Sequence, residues 1–206
     1  MSPFDLPLSP DGIQHSLADG SLVVLRPIRA SDVDELRRGF GRLSDRSRYL
    51  RFFTPLQRLP DEWAERLTDL DHRTHRAWVA YDPKGDAPPP GLGVGVARLI
   101  ELPEDPSSAE AAVSVTDDYQ GRGIGRLLLE IVTGTAAAAG YRTLVTNVLR
   151  ENSRMLDLVG EIGGSQKRIG DGASVRIEIP LSSTPDAQVA DGALYDLLRL
   201  SARLNP

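Results

Sequence analysis

The sequence predicts a single α/β (α+β) domain with a mixed, mostly antiparallel sheet and helices on both faces. Three observations predict this fold. Short β-type runs recur along the 206 residues, apolar side chains between them repeat at helical spacing, and a glycine-rich stretch joins one strand to a helix. With 40% apolar residues, the chain is long enough for one well-buried core with short extensions.

The N-terminal half reads as a β-hairpin followed by a helical segment. Asp19-Gly20, a pair suited to a type I′ turn, separates two short strands within residues 13–28. Ser31 is the predicted N-cap of the first helix, and Pro60 leads into the third. Helices are expected over residues 32–43, 44–53 and 61–70.

The C-terminal half reads as strands that alternate with two helices. A proline-rich loop after the first of these strands cannot join a hydrogen-bonded ladder, and Gly140 ends the longer helix. Strands are expected over residues 76–81, 93–101, 110–116, 143–149, 166–169 and 174–181, with a long helix that follows the glycine-rich stretch and runs to residue 139, and a second helix over residues 152–162.

The domain is expected to cover residues 13–181. Residues 1–12 read as a flexible N-terminal segment, and residues 182–206 as a linker with an amphipathic helix. The leucine face of that helix is expected to dock on its own domain, with a homodimer as the alternative.

The composition excludes several kinds of site and partner. Without cysteine, the chain has no disulfide, thiol nucleophile or thiolate metal site. The formal charge of -5 argues against nucleic-acid binding, and no apolar run is long enough to span a membrane. His72 and His75 read as loop residues rather than ligands, so no metal is expected. These features favour a cytoplasmic protein.

Residues 120–125, Gln-Gly-Arg-Gly-Ile-Gly, lie between a predicted strand and a predicted helix. Free backbone N–H groups and the helix dipole make such a place a site for phosphate oxygens. A Walker A loop is excluded because the chain has no Gly-Lys pair. A dinucleotide site is disfavoured because no acid lies between Glu130 and Glu151 to bind a ribose. A turn without a ligand is disfavoured because its glycines would cost backbone entropy for no gain in packing.

The same stretch resembles the pyrophosphate loop of the GNAT superfamily. That pattern is Gln or Arg, two residues, Gly, one residue, and Gly or Ala, which Gln120, Gly123 and Gly125 match. The order of predicted elements also resembles GNAT proteins over about residues 22–181. The resemblance implies a sheet that is splayed where the thioester of acetyl-coenzyme A (acetyl-CoA) enters.

The resemblance also implies a set of cofactor-binding residues. The strand before the loop would offer backbone groups to the thioester and pantetheine, and the loop would hold the pyrophosphate. Asn152 would contact coenzyme A, although a plain N-cap role explains it equally well. The strand and loop residues concerned are Val113, Ser114, Val115, Thr116, Gln120, Gly121, Arg122, Gly123, Ile124, Gly125 and Arg126.

Acetylation of an amine needs a base, because an ammonium of pKa about 10.4 has no lone pair for attack. Glu110 is the candidate, since residues 109–113, Ala-Glu-Ala-Ala-Val, resemble the segment that carries the base in Pat-type protein lysine acetyltransferases. Residues 48–53 suggest the same subgroup. A solvated residue at the start of a strand is the alternative for Glu110.

The departing thiolate needs an acid, and here the chain departs from the family pattern. Many GNAT enzymes use a tyrosine after the second cofactor strand, but residues 151–164 contain none. Ser153 is the candidate substitute, and protonation by the attacking amine is the alternative.

These observations predict an acetyl-CoA-dependent N-acetyltransferase that acts directly on a primary amine. The Pat-like features favour a protein lysine, and a small amine stays open as the acceptor. A non-catalytic acyl-CoA sensor is the alternative from another class. A nucleotide-dependent oxidoreductase is disfavoured by the missing ribose acid. Acetyl-CoA and the amine are therefore the expected partners, with no metal.

Overall fold

The computed structural model describes residues 12–87, 91–167 and 172–181. The predicted N-terminal segment and the C-terminal helix, with its docking or dimer face, lie outside these residues. Within the described ranges, no helix has the length and apolar character needed to cross a membrane.

The strands of the described chain form one eight-stranded sheet. They are β1 (Ile13–Ser16), β2 (Leu22–Pro27), β3 (His75–Asp82), β4 (Leu92–Leu102), β5 (Asp105–Val115), β6 (Thr143–Leu149), β7 (Ser165–Lys167) and β8 (Ser174–Pro180). Their spatial order is β1-β2-β3-β4-β5-β6-β8-β7. Only β5 and β6 pair in parallel within this sheet, so the predicted mixed and mostly antiparallel arrangement is confirmed.

The helices follow the predicted order with shifted ends. They are α1 (Val33–Gly41), α2 (Asp45–Phe52), α3 (Asp61–Arg66), α4 (Ile124–Ala138) and α5 (Ser153–Glu161). The prediction of Ser31 as an N-cap is wrong, because a 3-10 turn over Ala30–Asp32 precedes α1. Asp32 sets this turn, since its carboxylate is held by the Arg26 guanidinium at 2.7 Å and by the Arg29 N–H at 2.7 Å.

Helix α3 is shorter than expected and ends at Arg66. The Thr68 hydroxyl donates to the carbonyl of Ala64 at 2.9 Å. A hydroxyl bonded in this way competes with helical backbone bonds, which accounts for the early end.

Helices cover both faces of the sheet, as predicted. Helix α4 packs with the main core cluster, which includes Trp78 and Ala80 of β3. The intervening residues Ala77, Val79 and Tyr81 point to the opposite face and form a second cluster. Helices α1 to α3 bring together a third apolar cluster of their own.

Strand β5 begins at Asp105, earlier than expected. The expectation that Glu110 begins this strand is wrong, because Glu110 lies in its middle. Residues 105–108 are polar and read as loop in the sequence. The Asp105 carboxylate accepts bonds from Ser107 and Ser108, at 2.6–2.8 Å from their hydroxyls, and so holds the start of the strand in place.

Candidate functional site

Strands β5 and β6 separate in the middle of the sheet. Their parallel pairing ends at Glu110 and Val145. Beyond that point, β5 continues to Val115 on β4 alone, and β6 continues to Leu149 on β8 alone. The facing edges of the two strands therefore lack strand partners and bound an open cleft. This opening confirms the predicted splay.

The predicted cofactor residues of β5 lie along this cleft. Val113, Ser114 and Val115 belong to the part of β5 that has left β6. Thr116 follows directly and is buried, and its N–H donates to the carbonyl of Val94 at 3.0 Å. The strand thus offers an edge with unpaired backbone groups to a ligand in the cleft.

The loop after β5 adopts a backbone that glycine makes possible. Gly121 has φ 79°, and Gly123 has φ 90° and is the N-cap residue of α4. A Cβ at either position would meet no atom within 4 Å. These glycines are therefore required by the backbone conformation and not by close packing.

The loop presents unpaired donors at the start of α4. In the part of the chain that the structure describes, the backbone N–H groups of residues 121–126 donate no hydrogen bond. The first intrahelical bond at this end runs from Leu127 N–H to the Gly123 carbonyl at 3.0 Å. Unpaired N–H groups at a helix N-terminus bind anions such as phosphate oxygens. Ile124 is buried and anchors the loop to the core.

Three polar side chains in the loop or directly after it already contact other protein groups. Gln120 Nε2 donates to the Val115 carbonyl at 3.1 Å, and Gln120 Oε1 accepts from Arg154 at 3.1 Å. The Arg122 guanidinium lies 4.6 Å from the centre of the Tyr119 ring and remains exposed. Arg126, predicted to add positive charge, is paired with two acids, Glu130 at 2.9 Å and Glu161 at 2.7 Å.

The start of α5 lies beyond the end of β6. Asn152 is its N-cap residue, and Asn152 Oδ1 accepts from the Met155 N–H at 3.3 Å. This bond is the one that the N-cap interpretation requires. Ser153 is the first helical residue and is exposed.

Glu110 lies at the point where β5 and β6 separate. Its Oε1 accepts a hydrogen bond from Asn147 Nδ2 at 3.2 Å. Asn147 belongs to β6 beyond the last paired residue, so the contact spans the opening cleft. Glu110 also acts electrostatically on Arg51 of α2.

A cavity lies beneath α1 to α3, on the face of the sheet opposite α4. It occupies about 710 Å³ when its open mouth is included. Most of its lining is apolar, with Phe40 and Phe52 on the helical side and Val79 and Val96 on the sheet. Phe52 belongs to residues 48–53, which the sequence associates with the Pat-type subgroup. Two arginines, Arg51 and Arg98, also line it.

Sequence reasoning missed several polar residues of this region. Asn147 and Arg98 are polar residues inside otherwise apolar strands, and that interruption was the available signal. Asp117 follows β5, and nothing in the sequence around it indicates its partners. Its carboxylate accepts from the Ser44 N–H at 2.9 Å and from the Ser44 and Ser47 hydroxyls at 2.7 and 2.9 Å. These bonds attach α2 to the segment that leads from β5 into the glycine-rich loop.

Comparison with known proteins places the chain in one family. Residues 23–165 match the family described as acetyltransferase (GNAT) domain. An acetyltransferase of Pseudomonas aeruginosa is 30% identical over 149 residues, which cover 72% of this chain and 77% of that protein. The acetyltransferase Pat of Mycolicibacterium smegmatis is 29% identical, over 70% of this chain and 41% of its own length.

Solved structures give the same result. The GNAT domain of Streptomyces lividans PAT is similar with a TM-score of 0.73 and 30% sequence identity. The match covers 82% of this chain and 96% of that domain. The fold and the predicted relationship to Pat-type proteins are both supported by these likenesses.

Proposed function

Because the chain belongs to the GNAT acetyltransferase family, we propose that it transfers the acetyl group of acetyl-CoA directly to a primary amine. The separation of β5 from β6 carries this proposal, since it leaves a strand edge open between the unpaired loop amides and Glu110. Acetyl-CoA has a pyrophosphate, a pantetheine arm with amide groups, and a thioester at its end. These three parts match, in the same order, the loop amides, the open strand edge and Glu110.

The chain offers a matching set of contacts for acetyl-CoA, which supplies the acetyl group as a thioester. The N–H groups of residues 121–126 bind the pyrophosphate oxygens, with the dipole of α4 aligned in their favour. The remaining open backbone groups of β5 over residues 113–116 bind the amide groups of the pantetheine arm, whereas the Val115 carbonyl and the Thr116 N–H already have protein partners. Arg122 is exposed beside the loop and adds positive charge, whereas Arg126 acts mainly through its acidic partners.

Two hydrogen bonds of the Gln120 side chain hold the loop in position and leave its backbone N–H groups free. Gln120 ties the end of β5 to α5 through its bonds to Val115 and Arg154. Asn152 caps α5, and its contact with coenzyme A stays a prediction.

Glu110 is the proposed general base. Asn147 holds Oε1, and no donor among the described residues contacts Oε2. That oxygen is therefore available to accept a proton from the amine, directly or through water. Since the carboxylate lies at the apex of the cleft, the deprotonated amine stands next to the acetyl group that enters along β5.

Ser153 is the proposed acid for the departing thiolate. Its support is its position at the first residue of α5, exposed and immediately beyond the strand that forms the second wall of the cleft. The attacking amine is the other proton source. Replacing Ser153 by alanine distinguishes the two proton sources. Turnover falls in this variant if the serine hydroxyl is the acid and stays unchanged if the amine is the acid.

The resemblance to Pat favours a protein lysine as the acceptor amine. The match spans less than half of the Mycolicibacterium protein, so this assignment rests on likeness within the catalytic domain alone. A small amine is the other class of acceptor.

The test of the proposal is the release of free coenzyme A from acetyl-CoA in the presence of candidate amines. Glu110→Gln keeps the shape of the side chain and removes its basicity, so we expect turnover to fall by roughly 10²–10⁴-fold. Acetyl-CoA affinity, measured by calorimetry, should stay unchanged. The ascending limb of kcat/KM with pH should also disappear in the variant.

Glu104→Gln is the matched control, because Glu104 is an exposed carboxylate in the turn between β4 and β5. This variant should keep wild-type turnover. Wild-type activity in Glu110→Gln would assign Glu110 a structural role. Tight binding of acetyl-CoA with no coenzyme A released for any amine would support a sensor in place of an enzyme.

A further inference from the structure

The cavity beneath α1 to α3 contains an uncompensated positive charge, and we infer that the acceptor is an amino acid with an apolar side chain. Its carboxylate binds Arg98 and Arg51, and its side chain occupies the cavity. This inference rests on the proposed acetyl transfer and names the substrate class of the same site.

Arg98 is the first element of the argument. It lies in β4 with 3% of its surface exposed, and its Nη2 is buried with no hydrogen-bond partner in the described residues. Its Nη1 lies 3.5 Å from His75 Nε2. A buried guanidinium without an anion is costly, so this arrangement calls for a negatively charged ligand.

Arg51 adds a second positive charge beside Arg98, and no acid among the described residues forms an ion pair with either arginine. Burial and the neighbouring Arg51 lower the pKa of Arg98 to about 9, and burial lowers the pKa of His75 to about 4. The histidine is therefore neutral at pH 7, whereas the guanidinium keeps its charge. Arg51 makes no hydrogen bond or ion pair within the described residues, and its guanidinium lies 5.0 Å from the centre of the Phe52 ring.

The acids that line the cavity already have partners. Asp32 is held by Arg26 at 2.7 Å, and Glu35 by Arg38 at 2.8 Å and Arg42 at 3.4 Å. Glu110 acts electrostatically on Arg51, whereas no acid among the described residues forms an ion pair with Arg98. If Glu110 accepts the proton of the acceptor amine, a second anion is needed there, and a ligand carboxylate supplies it.

The strand register places the charged groups for such a ligand. Arg98 pairs with Ala112 and Ile100 pairs with Glu110, so Arg98 and Glu110 share one face of the sheet. They are about 7 Å apart along the strands, at roughly 3.4 Å per residue. An α-amino acid carries its amine and carboxylate on one carbon, so one ligand on this face of the sheet contacts Glu110 and Arg98 at the same time.

The rest of the cavity selects the side chain. Its apolar lining, with Leu36, Phe40, Leu43 and Val79, favours an aliphatic or aromatic group. A polyamine would add positive charge beside the arginines, and a lysine side chain of a protein would leave them unpaired. The two arginines therefore favour an amino acid over both of these acceptors, including the protein lysine that the resemblance to Pat favours.

The decisive experiment measures binding and does not depend on turnover. N-acetyl-L-leucine and N-acetyl-L-phenylalanine, which are products of the proposed reaction, are compared with their C-terminal amides by calorimetry in the presence of coenzyme A. We expect at least one acid to bind about 10-fold or more tightly than its amide, since hydrogen bonds to a charged group are strong.

Arg98→Met removes the buried charge at similar volume and should abolish this preference. Arg73→Met is the matched control, because Arg73 is an exposed arginine before β3, and it should keep the preference. Thermal denaturation checks that each variant folds. If Arg98→Met does not fold, Arg51→Met makes the same test at the other guanidinium.

Equal binding of acid and amide, or a preference that survives both arginine substitutions, would overturn the inference. Acetylation of a lysine peptide with no binding of either acid would also overturn it and leave the proposed acetyl transfer intact. Selective binding of the acids with no coenzyme A released for any amine would overturn acetyl transfer and leave the carboxylate site standing.

Discussion

Replacing Asp117 by alanine tests how α2 is attached to the segment that leads from β5 into the glycine-rich loop. The carboxylate of Asp117 accepts three hydrogen bonds from the start of α2, between 2.7 and 2.9 Å. It also lies at the positive end of that helix dipole. The alanine variant removes all three bonds and leaves the donors to water.

The magnitude follows from these bonds and their exposure. A hydrogen bond contributes about 0.5–1.5 kcal/mol to stability. All three are exposed to solvent, so the lower end applies, and we expect a loss of about 1.5–2 kcal/mol in the free energy of unfolding. For a protein of this length, that loss lowers Tm by about 3–8 °C.

The assay is thermal denaturation of the wild type, Asp117→Ala and Asp118→Ala. Asp118 is the matched control, because it is exposed and its side chain makes no hydrogen bond in the described residues. Its variant should stay within about 0.5 kcal/mol of wild type. Equal melting temperatures for the two variants would refute the assignment of this contact.

The pH dependence gives an independent check on Asp117. Hydrogen bonds from Ser44 and Ser47 lower the pKa of this carboxyl below 3.8, against the opposing effect of desolvation. The stability from these bonds is therefore present above pH 3.8 and is lost as the pH falls through the folded-state pKa. The difference in the free energy of unfolding between the wild type and Asp117→Ala should become smaller in that acidic range. A difference that stays constant would show that the charge of Asp117 is not involved.

Three further predictions concern the loop and the cavity. Gly123→Ala should destabilise the protein by about 1–2 kcal/mol in chemical denaturation, because φ is 90° there; an unchanged midpoint would contradict this conformation. Gly125→Asp should weaken acetyl-CoA binding in calorimetry by placing a negative charge at the loop, whereas Gly125→Ala should not; equal affinities would remove the pyrophosphate assignment. Burial lowers the pKa of His75 from 6.5 to about 4, so the unfolded chain binds a proton at this residue at a higher pH than the folded protein does. The folded protein is therefore fully stable in this respect above pH 6.5 and loses stability as the pH falls toward 4. His75→Gln should remove this acid sensitivity in pH-dependent unfolding, and an unchanged pH dependence would contradict the burial of a neutral ring.

The sequence predicted the elements of the fold well where the signal is local. The apolar run of β6 gave both ends of that strand, and the helical spacing before Gly140 gave the end of α4 to within a residue. Alternation and helical periodicity are properties of neighbouring residues, so they are readable without the fold. The start of β5 was missed because its polar residues are held by distant partners: Asp105 pairs with Leu102 of β4, and Ser108 pairs with Thr143 of β6.

In the candidate site, too, the sequence predicted the local backbone features but not the contacts between distant residues. The loop over residues 120–125 was predicted from its glycines, because positive φ and free N–H groups at a helix start depend on the chain itself. The partners of its polar side chains were not predicted. Arg126 reads as a free cation in the sequence and is paired with Glu161 of another helix in the structure.

What the sequence determined by itself was the family, the order of elements and the position of the loop, since each rests on short motifs and local periodicity. Only the tertiary structure decided that Arg51 and Arg98 share one cavity, that Asn147 contacts Glu110, and that the serines of α2 hold Asp117. These side chains come from separate elements. Their proximity depends on strand register and helix packing, which fix both the distances between charges and which charges remain unpaired.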